Sequence, residues 1–122
     1  MTARMRRVNE AVRAVVAEAV AGLKDPRIGL VTITGVSVSP DLREGIVYVS
    51  VFGNEKKRAA TLAGLESAHA VVQARLAREL RMKRTPQLTF AYDPSVEHGV
   101  RMTKLIDELA PDAANDDADH RQ

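Results

Sequence analysis

Residues 24–54 read KDPRIGLVTITGVSVSPDLREGIVYVSVFGN, and this stretch decides the fold. Asp25-Pro26 marks a turn, because proline fixes its own φ and pushes the preceding residue out of helical geometry. Val31 and Ile33 then alternate with Thr32 and Thr34, the pattern of a half-buried strand. After Gly35 the apolar phase moves to Val36 and Val38, so a bulge near Gly35 is expected to re-aim the side chains without ending the strand. Ser39-Pro40-Asp41 supplies the next turn, and residues 46–52 give a second β-branched strand that pairs back as an antiparallel hairpin closed by Gly53-Asn54.

Helices are expected on both sides of this hairpin. Upstream, Val8, Val12, Val15, Val16, Ala19 and Leu23 recur at three- and four-residue steps, one helical face, with Arg6, Glu10 and Arg13 off it and Gly22 placed for a left-handed cap. Downstream, residues 55–82 carry Leu62, Leu65, Val72, Leu76 and Leu80 as a second stripe. A straight helix of that length would run about 40 Å at ~1.5 Å per residue. A domain of ~100 residues has a radius of gyration of only about 13 Å, so a bend is required, either at Gly64 or within Ser67-Ala68-His69-Ala70. Residues 86–92 form a third strand, Asp93-Pro94 turns it out, and residues 100–109 show a weak helical pattern. The remainder, PDAANDDADHRQ, has no aliphatic residue larger than alanine and is expected to be disordered.

The 122 residues fit one domain without staples, and the absence of cysteine excludes thiolate nucleophiles and cysteine-held zinc. The N-terminal residues intersperse charges among apolar positions, so no signal peptide or membrane span is expected and the chain reads as cytoplasmic. Charge is unevenly spread. Residues 107–122 hold six acids and one base, so of the net charge of +2, −5 lies there and +7 in residues 1–106. A basic body favours an anionic partner.

Reactive groups are sparse. His69, His98 and His120 lack the paired helical spacing of a metal site, and no phosphate-binding glycine loop is present. Asp93, Glu97 and His98 make the only local cluster suited to acid–base work, and a polar turn accounts for it. No catalytic residue, cofactor, metal or small-molecule substrate is expected. The cations are richer: Arg75, Arg78 and Arg81 step by three along the second helical region, Lys83 and Arg84 extend them, and Lys56, Lys57 and Arg58 charge its other end. Guanidinium forks suit phosphate, although a solvated helical face explains the same pattern. Tyr48, Phe52, Phe90 and Tyr92 all fall in strands; alternation puts Tyr48 and Phe52 on one side, and strand aromatics are expected in the core rather than as stacking platforms for bases.

Asp25-Pro26-Arg27-Ile28, Ser39-Pro40-Asp41-Leu42-Arg43, Val47-Tyr48-Val49-Ser50, Pro86-Gln87-Leu88-Thr89-Phe90 and Tyr92-Asp93, in this order and spacing, resemble the bacterial ribosome-binding factor A family. The resemblance implies an α+β, type II K-homology-like domain of order α-β-β-α-(kink)-α-β, with a three-stranded sheet and helices packed on one face. It implies a non-enzymatic assembly factor that binds the free 30S subunit and 16S ribosomal RNA, assists late maturation including that of the 16S 5′ end, and is linked with growth in the cold. No G-x-x-G loop is present; the family instead is similar in carrying a helix kink with an Ala-x-Gly signature, matched here by Ala68-His69-Ala70, with Ala70 in place of glycine. His69 is then either lifted to the binding side or partly buried against the sheet. The expected domain spans residues 1–109, with an acidic tail at 110–122. RNA contact is assigned to Arg6, Arg7, Arg43, Arg75, Arg78, Arg81, Lys83 and Arg84 of a monomer, while Asp25-Pro26 and Ser39-Pro40 are architectural. The rival reading is a protein-interaction module using a sheet edge and the acidic tail.

Overall fold

The structure is a computed structural model that describes residues 2–95. Six elements follow in the order α1 (Ala3–Ala21), β1 (Val31–Val38), β2 (Glu44–Val51), α2 (Glu55–Ser67), α3 (His69–Glu79) and β3 (Gln87–Tyr92). The weak pattern at 100–109, the cluster members Glu97 and His98, His120 and the tail lie outside the described residues.

α1 begins where Thr2 accepts a hydrogen bond from the Met5 amide, which satisfies one of the free donors of the first turn. Its stripe buries Val12, Val15, Val16, Ala19 and Val20. Gly22 ends it at φ −89°, so the expected left-handed cap is not formed: the Gly22 amide bonds back to Glu18 and Ala19 in right-handed geometry.

The sheet has the order β1-β2-β3, with β1 antiparallel to β2 and β2 parallel to β3. The register of β1 slips between Ile33 and Gly35, where Thr34 is the extra residue and its hydroxyl donates to the Tyr48 carbonyl at 3.2 Å. The bulge thus falls where the apolar phase changes. It brings both Ile33 and Val38 into the core with Val47, Val49 and Leu88, against Leu65, Val72, Leu76 and the α1 stripe. The helices cover that face alone; Ile46, on the other side of β2, remains exposed.

Parallel pairing of β3 with β2 sets Glu44 opposite Gln87 and Val49 opposite Tyr92. The chain must therefore return from the end of β2 to its beginning before β3 can start, and α2 and α3 make that crossing. They are separated by one residue, Ala68, at φ −91° and ψ 5°. Its amide closes onto the Gly64 and Leu65 carbonyls, and its carbonyl receives the Val71 and Val72 amides, so the ladder restarts at once. Leu42 is the one non-glycine with positive φ among the described residues; Ala70 therefore occupies the glycine position of the kink without left-handed strain.

Gly64, the other candidate for the bend, does different work. A Cβ there would sit 2.7 Å from Ile28 Cγ1, so glycine lets the 25–29 loop lie directly on α2. One residue-turn away, buried Thr61 accepts the Gly29 amide at 3.2 Å and reaches the Arg27 carbonyl at 3.4 Å. Asp25 completes the loop by accepting the Arg27 amide and pairing with its guanidinium at 2.6 Å.

Replacing Gly64 by alanine should destabilise the domain by about 1–2 kcal/mol, since overpacking of about 1–3 kcal/mol outweighs the gain of up to about 1 kcal/mol in helix propensity. Chemical denaturation of Gly64→Ala, Ile28→Ala and the double variant should give a favourable coupling between the two changes; additive losses would show that the contact is not the cause. Thr61→Val should cost about 1–3 kcal/mol by stranding the Gly29 amide.

Candidate nucleic-acid interface

The loop between β1 and β2 is built around Asp41. Its carboxylate accepts from the Ser39 hydroxyl at 2.7 Å and from the Arg43 amide at 3.1 Å, while the Leu42 amide bonds the Ser39 carbonyl. Leu42 takes a φ of 61°, a left-handed conformation unusual for leucine, and its side chain is buried in the core. The Ser39 hydroxyl, the Arg43 amide and the Arg43 and Arg84 guanidinium charges together hold the Asp41 carboxyl below its ordinary range.

That last contribution brings two distant sequence positions together. The Gln87 amide donates to the Arg43 carbonyl at 2.9 Å, so the 80–86 loop arrives beside the 39–43 turn, and Lys83 and Arg84 arrive with it. The N-terminal part of α1 reaches the same end of the sheet, because Asn9 accepts the Val38 amide at 2.9 Å. Arg6 and Arg7 project from that first part of α1 and are exposed, as are Arg43, Arg81, Lys83 and Arg84.

Two expectations are corrected. α3 ends at Glu79, and Leu80 is extended at φ −111° and ψ 112°, so Arg81 lies in the loop and does not continue a helical row with Arg75 and Arg78. Leu80 and Met82 explain the early end: both pack on the core, which alternate positions of an extended segment permit. Arg75 is also not a free cation. Its Nε donates to Glu79 at 2.7 Å and its Nη2 to Glu18 of α1 at 2.7 Å, so it ties α3 to α1. The Glu79 hydrogen bond, with the charge of Glu79 and Glu18, raises its affinity for the proton. Arg78 stays exposed on α3.

The kink residues serve the sheet. His69 lies half-buried with Nε2 2.8 Å from the Leu88 carbonyl, the outcome in which it packs against the sheet. One turn later, Gln73 donates to the Pro86 carbonyl at 2.6 Å and accepts the Leu88 amide at 3.2 Å. Side chains from α3 thereby occupy hydrogen-bonding groups on the outer edge of β3. A partner strand adding there would have to displace them, which weighs against a β3-edge interaction module.

Phe52 departs furthest from expectation. Phe90 packs against the core and Tyr92 lies under the Arg58 guanidinium, 4.3 Å from its ring centroid, whereas Phe52 is 75% exposed just beyond β2.

An α+β domain of type II K-homology-like topology, its helix kink closed onto the sheet through His69, defines the class. The ribosome-binding factor A family profile matches residues 4–106, and the chain belongs to that family. It is 39% identical over 115 residues to ribosome-binding factor A of Geobacter sulfurreducens, covering 93% of this chain and 98% of that protein. It is 41% identical over 118 residues to the Geotalea uraniireducens protein of the same name, covering 96% and 97%. The crystal structure of ribosome-binding factor A from Thermus thermophilus superposes with a TM-score of 0.65 at 33% identity, covering 72% of this chain and 93% of that one. A homology-built form of the Thermus thermophilus protein, fitted into the cryo-electron-microscopy map of its complex with the 30S subunit, superposes at 0.59 with 34% identity, covering 70% and 91%.

Three outcomes check this geometry. Gln73→Ala should cost about 1–3 kcal/mol by leaving the Leu88 amide and Pro86 carbonyl unpaired, and should increase self-association seen by sedimentation velocity. Arg75→Ala should lower the melting temperature slightly by releasing α3 from α1. Because the folded Asp41 carboxyl titrates below its unfolded value, its contribution is complete above the ordinary carboxylate range and is lost as pH falls through the folded value. The stability gap between the natural chain and Asp41→Asn, measured by denaturation, should therefore be open at neutral pH and close in acid below about pH 4.

Proposed function

We propose that the chain is a ribosome-biogenesis factor that binds the free 30S subunit through 16S ribosomal RNA and assists late 30S maturation, including processing of the 16S 5′ end. It acts in the cytoplasm, as a monomer, by binding rather than by catalysis, and it supports growth in the cold. The observation that carries this reading is the meeting of the 39–43 turn and the 80–86 loop, which supplies Arg43, Lys83 and Arg84 from two separate segments, with Arg81 exposed in the same loop and Arg6 and Arg7 exposed on the first turns of α1. Arg78 extends the set along α3. Arg75 leaves it, because its guanidinium already serves Glu18 and Glu79. Planar guanidinium groups donate paired hydrogen bonds to phosphate, so a set of exposed arginines suits an RNA backbone held by shape and charge. The acidic residues of the 110–122 tail oppose that attraction and moderate it.

Changing Arg43, Lys83 and Arg84 together to alanine should reduce co-sedimentation with free 30S subunits at least tenfold while the fold survives, as judged by circular dichroism. The natural chain should lose affinity linearly in log–log form as salt rises, because each phosphate neutralised releases counterion. Undiminished co-sedimentation by the folded triple variant, or affinity indifferent to salt, would place the contact elsewhere.

A further inference from the structure

We propose that the opposite end of the sheet carries a second RNA contact: a seat on which an unpaired base stacks against Phe52 and Leu30, with its flanking phosphates held by Lys56 and Lys57. The partner class rests on the functional reading above, but the residues do not overlap with those that carry it.

The Phe52 amide donates to the Leu30 carbonyl at 2.9 Å, one step beyond the Val31–Val51 pair, so the two residues are neighbours across the last rung of the hairpin. Both side chains are in water, Leu30 at 72% and Phe52 at 75% exposure. Single exposed apolar residues are ordinary on folded proteins. Two adjacent ones, one with an open aromatic face, form a platform.

Charge next to the ring says what the platform fits. Gly53, immediately after Phe52, has φ +125°, and a Cβ on it would lie 2.7 Å from Lys57 Cδ and 3.1 Å from Lys57 Cβ. The lysine stem is thus laid over the turn that follows the ring, a close approach that glycine alone permits. Asn54 fixes this start of α2 by accepting the Lys57 amide at 2.9 Å. Glu55, the acid of this turn, faces Arg58 at 3.8 Å, and Arg58 itself covers Tyr92. Lys56 and Lys57 are exposed and make no ion pair among the described residues. An exposed aromatic face followed directly by a helix start bearing two exposed lysines matches a ligand that alternates flat rings with anions, which is single-stranded nucleic acid; a duplex hides its base faces.

The chain contains no tryptophan, so Phe52→Trp places a sole indole reporter in the seat. Titration with an unstructured 12-nucleotide single-stranded RNA should quench its emission, and a blunt duplex of the same sequence should not. Phe52→Leu, which keeps the apolar bulk and removes the ring, should weaken single-strand binding about tenfold, the scale of one lost base–aromatic stack. Changing Lys56 and Lys57 to alanine should flatten the slope of log affinity against log salt by about 1.4. Equal quenching by the duplex, unchanged affinity in Phe52→Leu, or quenching by nuclease-treated 30S proteins would overturn the seat. If Phe52→Leu binds single strands normally while the Arg43, Lys83 and Arg84 variant loses the 30S subunit, the seat fails and the functional reading stands.

Discussion

The parallel pairing of β2 with β3 governs the rest of the molecule. An antiparallel third strand could have followed β2 through a short turn, but a parallel one obliges the chain to cross back over the sheet before Gln87 can face Glu44. The crossing is helical because residues 55–79 carry the apolar stripe that the sheet needs as a cover. It is broken at Ala68 because an unbroken helix would overrun so small a domain.

From that crossing follows the position of the charged groups. The loop that ends it must land at the start of β2, next to the turn that ends β1, and so Lys83 and Arg84 meet Arg43 across a gap of some forty residues in sequence. α1 runs to the same end because the Val38 amide is bound by Asn9. α3 contributes in a second way, since His69 and Gln73 hold the outer edge of β3 that the crossing leaves open. The basic end is therefore a product of topology more than of any one helical face.

Much of this was legible in the chain itself, and for identifiable reasons. The change of apolar phase at Gly35 announced the bulge, because a strand buries alternate residues and one insertion must invert the pattern. The need for a bend, and its narrowing to two places, came from length alone. The structure then assigned the two places different jobs: Ala68 breaks the helix, and Gly64 admits Ile28. Long-range partners were not legible. Nothing in the local sequence of residues 75–86 shows that Arg75 reaches Glu18 from another helix, or that core packing of Leu80 and Met82 overrides good helix-forming residues to end α3 at Glu79. Phe52 was misplaced for a related reason. Strand alternation located it beside Tyr48 correctly, but only the sheet's one-sided covering reveals that this side stays in water.

A cryo-electron-microscopy map of the chain on the free 30S subunit tests the central claim most directly. The Arg43 and Arg84 guanidinium groups should lie within hydrogen-bonding distance of 16S phosphates. A well-defined complex in which the 39–43 turn and the 80–86 loop face solvent would contradict it.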